Sequence, residues 1–558
     1  MRDPRIPWMT RRQLLRAGLG TVGGAAAAGL LAACGGTAAP AAGSASASGA
    51  GASASGSTSA AASSSSAAAA STTPKPGGVL KVALEADIIA PLDPHHYNAY
   101  STGLAMEQVY SGLVRLDPQL NVTPDLATDW TVSPDGKTYT FKIRPGVTFH
   151  DGTPLTADDV KFSFDRIRDK ATGSSQAYLL VDVTNTAVQG GDTFVMTLDK
   201  PFSPLLQELS TMYIVSQAYV QKNGAAYLTN HMNGTGPFMF KDFVPNTHTE
   251  LVKNPNYYSK GLPYLDGITF IPAPDDPSRT ADIQTGNVDF ADQIAQKDII
   301  TLQSAKGVVL DGGVSTLHDY LFFNEKRKPF DNPLVRQAIA YALDRDAMTK
   351  LVLFGYGQPI YGGCIAPFNW AYDADLQPFK TQDMAKAKAL LAQAGLSGGF
   401  STTLGASTAY QPQVDAAQLI KQYLAPLGIN VQVVAEEWGT YIDRLVNKHD
   451  YNMAIIGWIG ALDPDDYLYS RFHSNQPNNF EFYSNPQVDQ LLDQGRTLQD
   501  HAQRLPIYHQ IESTLATDSP MAWFYWYKQY EGVRDYVKGY THMANASKVT
   551  FLNTWLDK

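Results

Sequence analysis

The chain has 558 residues, of which 17% are charged, with Lys+Arg 43 against Asp+Glu 53 and a net charge of -10. An acidic balance of this kind is poorly matched to phosphate backbones and speaks against nucleic-acid binding. With only Cys34 and Cys364 present, a zinc thiolate centre and an intramolecular disulfide in the body of the chain are both excluded.

Residues 1–33 differ from everything that follows. Arg2, Arg5, Arg11, Arg12 and Arg16 make a basic start, and Ala17 to Ala33 carries no charge. Positive, then apolar, then small is the order of a secretory signal. The apolar run is shorter than the roughly 20 residues of a membrane span and is diluted by five glycines. Thr10-Arg11-Arg12-Gln13-Leu14-Leu15-Arg16 resembles a twin-arginine export signal. Leu31-Ala32-Ala33-Cys34 resembles a bacterial lipobox, in which Cys34 is lipidated and becomes the new N-terminus. Cleavage nearby with Cys34 incidental is the alternative. Gly18-Leu19-Gly20-Thr21-Val22-Gly23 fits GxGxxG, but it lies in this removable leader and not in a βαβ unit, so it is no dinucleotide fingerprint. Residues 35–76 are almost all Gly, Ala, Ser, Thr and Pro, which cannot bury enough apolar surface to order themselves. A coil of this length reaches ~35 Å, so the expectation is a lipid-held leash.

With residues 1–33 set aside, the chain carries 38 basic against 52 acidic side chains. The length of the body from residue 77 suggests two to four domains' worth of core. Gly78 to Leu84 reads as an opening strand. Tyr139, Phe141 and Ile143 alternate with Thr140 and Lys142, and Ser133-Pro134-Asp135-Gly136 is turn chemistry, which predicts a hairpin of Trp130–Val132 with Tyr139–Ile143. Thr156 with Asp159 three residues on predicts a capped helix through Val160, Phe164 and Ile167. His150, Asp151, Asp158 and Asp159 therefore read as structure and not as an acid/base set. A broad apolar stripe predicts a helix over Asn332–Arg345. From 383 the chain alternates: helix 383–394, strand 400–405, helix 414–427, strand 428–434, a short helix near 439–447, and strand 451–458. Such alternation implies an α/β layer with a mainly parallel sheet.

The last of these strands ends in Gly457-Trp458-Ile459-Gly460-Ala461-Leu462-Asp463-Pro464-Asp465-Asp466. Ligands of open α/β sheets bind at the carboxyl ends of strands. Gly457 and Gly460 allow backbone to approach a ligand, Trp458 offers a stacking face, and Asp463, Asp465 and Asp466 offer charge. A capped turn starting the next helix at Asp463-Pro464 is the plain structural alternative.

Several long, ordered stretches resemble solute-binding protein family 5, the extracytoplasmic receptors of peptide/nickel-type ABC transporters. They are PDLATDWTVSPDGKTYTFKIRPGVTFHDGTPLTADDVKFSFDRI, GTGPFMFKDF with NPNYY, FFNEKRKPFDNPLVRQAIAYALDRDAM, and GWIGALDPDDYLYSRFHS with FYSNPQVDQLL. The resemblance covers nearly all of 77–558. It implies an α/β, bilobed periplasmic-binding-protein-like fold, type II, in its three-domain peptide-binding variant. Domain I would comprise 77–118, 235–318 and 525–558, domain II 119–234, and domain III 319–524. Ligand would sit between lobes that close by hinge motion. The implied role is the substrate-binding receptor of an ABC importer, a monomer without catalytic residues, cofactor or metal, delivering a peptide to permease subunits while a lipid at Cys34 holds it to the outer face of the membrane. Ligand-binding residues expected on this basis are Trp458, Gly460, Asp463, Asp465, Trp438, Tyr97 and Asn324. In peptide-binding relatives an aspartate after the Gly-Trp pair anchors the peptide's ammonium. Here that position aligns with Ala461, with Asp463 as a substitute, which leaves an oligosaccharide or a chelated metal as alternative ligands. Trp370, Trp438 and Trp458 would suit sugars, and His95-His96 is a weak metal signal. A surface-tethered hydrolase is the remaining alternative, but HExxH, GxSxG and the P-loop are all missing from the sequence.

Overall fold

The computed structural model describes residues 73–97, 99–459, 462–474 and 476–558. Cys34, the leader and all but the last residues of the leash lie outside the described residues, as do Gly460 and Ala461.

Eleven strands make one mixed sheet. Its order is Ile429–Glu436, Phe400–Ser407, Met453–Ile459, Val308–Phe323, Met521–Arg534, Phe290–Ala291, Val79–Leu84, Gly267–Pro272, His248–Lys253 and Phe238–Val244, with Gly357–Pro359 added alongside Met521–Arg534. Two of these strands are long, at 16 and 14 residues, and they pair antiparallel from Val308↔Arg534 to Phe322↔Met521. Their register shifts between Val314 and His318 and again between Asp319 and Tyr320. The long pair thus belongs to both lobes, and it is the sheet's only continuous path from one to the other among the described residues.

Strand directions follow from the pairings. Val79–Leu84 lies parallel to Gly267–Pro272 and Phe290–Ala291, and Phe290–Ala291 is antiparallel to Met521–Arg534. Val79–Leu84 therefore runs the same way as Val308–Phe323. Met453–Ile459 runs against Val308–Phe323, and Phe400–Ser407 and Ile429–Glu436 run with Met453–Ile459. The carboxyl ends of the two parallel sets consequently point at each other. Ala291 stands level with Gly532 and Leu310, whereas Ile459 stands level with Leu317. Among the described residues the sheet crosses the stretch between those levels on the long pair, joined at Tyr527 by Gly357, over a contour of about 20 Å at the usual rise per residue.

The expected hairpin is present, with Trp130 opposite Phe141 and Val132 opposite Tyr139. It belongs to a separate four-stranded antiparallel sheet of Ala127–Val132, Thr138–Ile143, Thr193–Leu198 and Val183–Gln189. Gly136 takes φ 69° in the turn, a conformation its Pro-Asp-Gly context supplies. Helix Ala157–Arg168 covers this sheet with Phe164 stacked on Phe194 at 5.2 Å. Its start is pinned by Asp159, which accepts from the Thr156 amide at 2.9 Å, the Thr156 hydroxyl at 2.8 Å and the Gln217 amide at 2.9 Å.

The alternating stretch from 383 is found as helix Met384–Gln393, strand Phe400–Ser407, helix Gln411–Leu424, strand Ile429–Glu436, helix Trp438–Ile442 and strand Met453–Ile459. Parallel pairing holds locally among these three strands, and the sheet as a whole is mixed. The single helix expected over Asn332–Arg345 is two: Pro333–Ala342, capped by Asn332, and Arg345–Val352, capped by Asp344. The break has a physical cause. Arg345 turns inward, is buried, and donates to the Trp523 carbonyl at 2.8 Å and the Ala340 carbonyl at 3.0 Å. No helix among the described residues is long and apolar enough to cross a membrane.

Glu512, fully covered in helix His501–Asp518, accepts from the Ile365 amide at 2.8 Å. A Cβ on Gly363 would fall 2.2 Å from its carboxylate, so only glycine fits there. Burial pushes Glu512 up to about 8.

Two outcomes follow from these elements. Asp159→Ala removes the acceptor for three donors and should lower stability by about 2 kcal/mol, read as a lower urea midpoint. Because the folded pKa of Glu512 lies above its unfolded value, its contribution is complete below the ordinary glutamate range and is lost as pH rises toward 8. Glu512→Gln should therefore gain stability relative to the unsubstituted protein as pH increases from 5 to 8, with thermal melts across that range as the check.

Candidate functional site

The gap between the two sets of strand ends has walls of different chemistry. Beyond Phe400–Ser407 stands Tyr410, 48% exposed; beyond Ile429–Glu436 stands Trp438, 37% exposed; and Met453–Ile459 ends in Ile459, 73% exposed. Tyr410 and Trp438 meet edge to face at 5.3 Å. Large apolar side chains left open at three adjacent strand ends form a patch suited to a ligand. On the facing wall Glu85 follows Leu84, and Asp292 with Gln293 follows Ala291.

Trp458 is half-buried at the inner margin of the first wall. Its ring is fixed from behind by the Arg471 guanidinium at 5.3 Å. Arg471 also lies 4.7 Å from Phe480 and 5.5 Å from Tyr320, and its charge is met by Glu481, with both side chains fully covered. His318 pairs with Trp458 across the strands and packs 4.4 Å from Trp526. Burial pulls His318 down to about 3, so it is a neutral packing group. The expectation that Gly457 makes room for a ligand is corrected. A Cβ there would lie 2.6 Å from the Asp319 carboxylate, which fills the space. Asp319 in turn accepts from the Tyr527 hydroxyl at 2.7 Å, and burial raises it to about 6.

Other expected contacts are committed within the fold. Asp463 caps helix Pro464–Phe472 through the Asp465 amide at 2.9 Å and holds Arg504 bidentately at 2.7 and 2.5 Å. Asp465 is fully covered, is paired with Arg496 at 2.7 Å, and is raised by burial to about 6. Asp466 faces Glu208, and burial with that like charge pushes it up. Asn324 is buried and donates to the carbonyls of Tyr451 at 3.2 Å and His449 at 3.3 Å. Tyr97 packs on Gly103, whose missing Cβ would lie 3.0 Å from the ring. His95 is buried, with Nε2 donating to the Tyr213 carbonyl at 2.9 Å and Nδ1 accepting from Arg166 at 2.7 Å. Burial and Arg166 hold it near 4, and His96 is taken by Asp93 at 2.9 Å. Among the described residues no group of three His, Cys, Asp or Glu could hold a metal ion.

Trp370 stacks on His501 at 4.0 Å beside a cavity of about 350 Å³. Leu120, Asn121 and Gln207 line the cavity from one side, and Phe368, Leu462 and Arg504 from the other. Of the expected set, the geometry brings Trp458 and Trp438 together on one wall and keeps Asp463, Asp465 and Asn324 inside. Tyr410, Arg471 and Glu85 are the additions. Tyr410 could have been found from its place between a strand and a helix, and Glu85 from its place after the opening strand. Nothing local to Arg471 announces its partner.

The family described as bacterial extracellular solute-binding proteins, family 5 Middle, matches residues 121–480. The glutathione-binding protein GsiB of Escherichia coli (strain K12) is 33% identical over 440 residues, covering 77% of this chain and 85% of that protein. Helicobacter pylori DppA, solved with the peptide STSA, superposes with a TM-score of 0.73 at 29% identity, over 87% of this chain and 99% of that one. AgaA from A. tumefaciens R10, solved with agropinic acid, gives 0.72 at 30% identity, over 86% and 99%.

The role of Asp463 can be separated from ligand contact. Asp463→Ala leaves Arg504 buried without its partner and should cost about 3–5 kcal/mol of stability, while ligand affinity of the folded fraction is unchanged. Thermal melts paired with titration calorimetry below the melting range check both halves.

Proposed function

The chain belongs to the bacterial extracellular solute-binding proteins of family 5, and from that premise we propose that it captures a short peptide or a peptide-like amino-acid conjugate in the cleft between its two walls. It is the substrate-binding protein of an ABC importer, acts outside the cytoplasm and is not an enzyme. The observation that carries the ligand proposal is the opposition of an aromatic wall, Tyr410, Trp438 and Trp458, to an acidic one at Glu85 and Asp292. A peptide offers apolar side chains to the first and an ammonium to the second. Relatives solved or named with glutathione, a tetrapeptide and agropinic acid support the same class, since each ligand contains amino-acid chemistry.

The proposal includes a three-domain working division, with 119–234 and 319–524 closing on the ligand. In the structure these segments touch where the Ser203 amide donates to the Arg496 carbonyl at 3.0 Å and Phe202 meets the Arg496 guanidinium at 5.3 Å. Hinge motion at the long strands would open them. The proposal also includes export by the twin-arginine route and a lipid at Cys34, which would tether the receptor beside its permease. An oligosaccharide is the second reading, favoured by the exposed Tyr410–Trp438 pair.

Mass spectrometry of small molecules released from freshly purified protein, followed by calorimetry with tri-alanine, glutathione and maltotriose, tests the assignment. A peptide or amino-acid conjugate is the expected occupant, and maltotriose binding alone would replace this reading by the second. Trp438→Ala removes an exposed ring and should weaken binding by about tenfold with an unchanged melting midpoint. Unchanged affinity would remove Trp438 from the site.

A further inference from the structure

Charge is distributed unequally across the gap. Of the acids that follow Met453–Ile459, Asp463 and Asp465 are neutralised by Arg504 and Arg496, while Asp466 is buried against Glu208. The facing wall is different. Phe290–Ala291 lies beside Val79–Leu84 with Ala291 opposite Ala83, and the Asp292 amide donates to the Ala83 carbonyl at 2.9 Å. Asp292 and Glu85 are thus neighbours at the carboxyl ends of adjacent parallel strands.

Glu85 is exposed and has no ion-pair partner among the described residues. Arg279, the cation acting on it, gives its own donors to the Ala273 carbonyl, to Asp276 and to the Gln293 carbonyl, each at 2.8 Å. Asp292 is fully covered. Its Oδ1 meets Lys548 Nζ at 3.0 Å and the Tyr100 hydroxyl at 3.5 Å, but its Oδ2 has no partner. Lys548 is shared with Glu531, at 2.9 Å, which His542 Nδ1 also meets at 2.9 Å. Buried polar atoms such as Asp292 Oδ2 are normally satisfied. Glu85 therefore has no cation of its own, and its neighbour Asp292 keeps one oxygen without a partner. Although the residue as a whole is exposed, desolvation of its carboxyl and then the Asp292 charge raise Glu85 above its ordinary range.

We propose that Glu85, backed by Asp292, is the seat of the ligand's cationic group, the terminal ammonium of a peptide or amino-acid conjugate. Glu85 makes the contact, and Asp292 supplies the charge behind it. The assignment rests on the peptide-like reading of the ligand, and it places the ammonium on the wall opposite Trp458. A cation arriving there relieves the repulsion between two neighbouring carboxylates as well as making its own charge-assisted hydrogen bond.

The test compares the unsubstituted protein with Glu85→Gln, an exposed and near-isosteric change that leaves folding intact, and with Asp292→Asn. Calorimetry uses tri-alanine, N-acetyl-tri-alanine and maltotriose. The expected result is that acetylation weakens binding to the unsubstituted protein by about tenfold or more, that Glu85→Gln weakens tri-alanine by a similar factor, and that the variant no longer distinguishes the two peptides. Asp292→Asn, where folded, should give a smaller loss in the same direction. If Glu85→Gln binds tri-alanine as tightly as before and keeps the acetylation penalty, the seat lies elsewhere and the inference is overturned, while the peptide reading stands. If the unsubstituted protein takes maltotriose and neither peptide, the reading and the inference fall together.

Discussion

Two antiparallel strands, Val308–Phe323 and Met521–Arg534, are the constraint on which the arrangement depends. Their outer halves are held differently. Toward Phe323 and Met521 they are almost wholly buried among aromatic and aliphatic neighbours, whereas Val308 to Val314 is mostly half-exposed. In that second stretch the strands come very close: a Cβ on Gly312 would lie 2.2 Å from the Gln529 carbonyl. The register slips just beyond, between Val314 and His318. Firm anchorage at one end, a less covered stretch at the other and a break in the ladder between them concentrate bending in a few residues. The same pair sets the two groups of parallel strands tip to tip, which creates the gap and decides that both walls are built from strand ends.

Within that frame, buried arginines control which acids remain available. Arg504 and Arg496 take Asp463 and Asp465, and Arg166 takes Asp93 while also filling His95 Nδ1. Removing such pairs from water is costly, and their attraction in the interior offsets that cost without necessarily exceeding it. Their value here is positional. The buried Arg471–Glu481 pair sets a guanidinium 5.3 Å from the Trp458 ring and so fixes the ring's position at the strand end. On the opposite side Glu85 has no ion-pair partner among the described residues, and Asp292 behind it is paired with Lys548 through one oxygen only.

Much of the fold was legible in the sequence where its signals are local. Pro-Asp-Gly beside alternating aromatics gave away the hairpin, Thr156 with Asp159 the capped helix, and the helix–strand alternation after 383 the parallel strands. The rule that ligands meet strand carboxyl ends directed attention to the end of Met453–Ile459, which faces the ends of Val79–Leu84 and Phe290–Ala291 across a gap. The rest depended on partners distant in sequence. The apolar stripe of 332–345 runs on through Leu343, so the break was hidden, although Asp344 is itself a cap signal. Asp463 looked available because Arg504 lies 41 residues away. Gly457 looked like a place for a ligand because nothing nearby announces that Asp319 fills it. Residue type and spacing pointed to candidate side chains; they could not tell which charges had already been claimed.

Closure then depends on what neither wall can do alone. The aromatic strand ends and the acidic strand ends have no reason to attract each other across water, and residues 119–234 meet 319–524 at Ser203 with Arg496, at Tyr139 with Gln499 and at the buried like-charged pair of Glu208 and Asp466. A ligand shifts a two-state equilibrium only through its differential affinity for the two states. A molecule with an apolar body and a cationic end engages one wall when the lobes are apart and both when they are together, so the difference in affinity arises from the second wall. A molecule lacking either part gains little from closure and leaves the lobes free to separate. On the proposed reading selectivity and closure are one event, because only a ligand that meets both walls favours the closed arrangement.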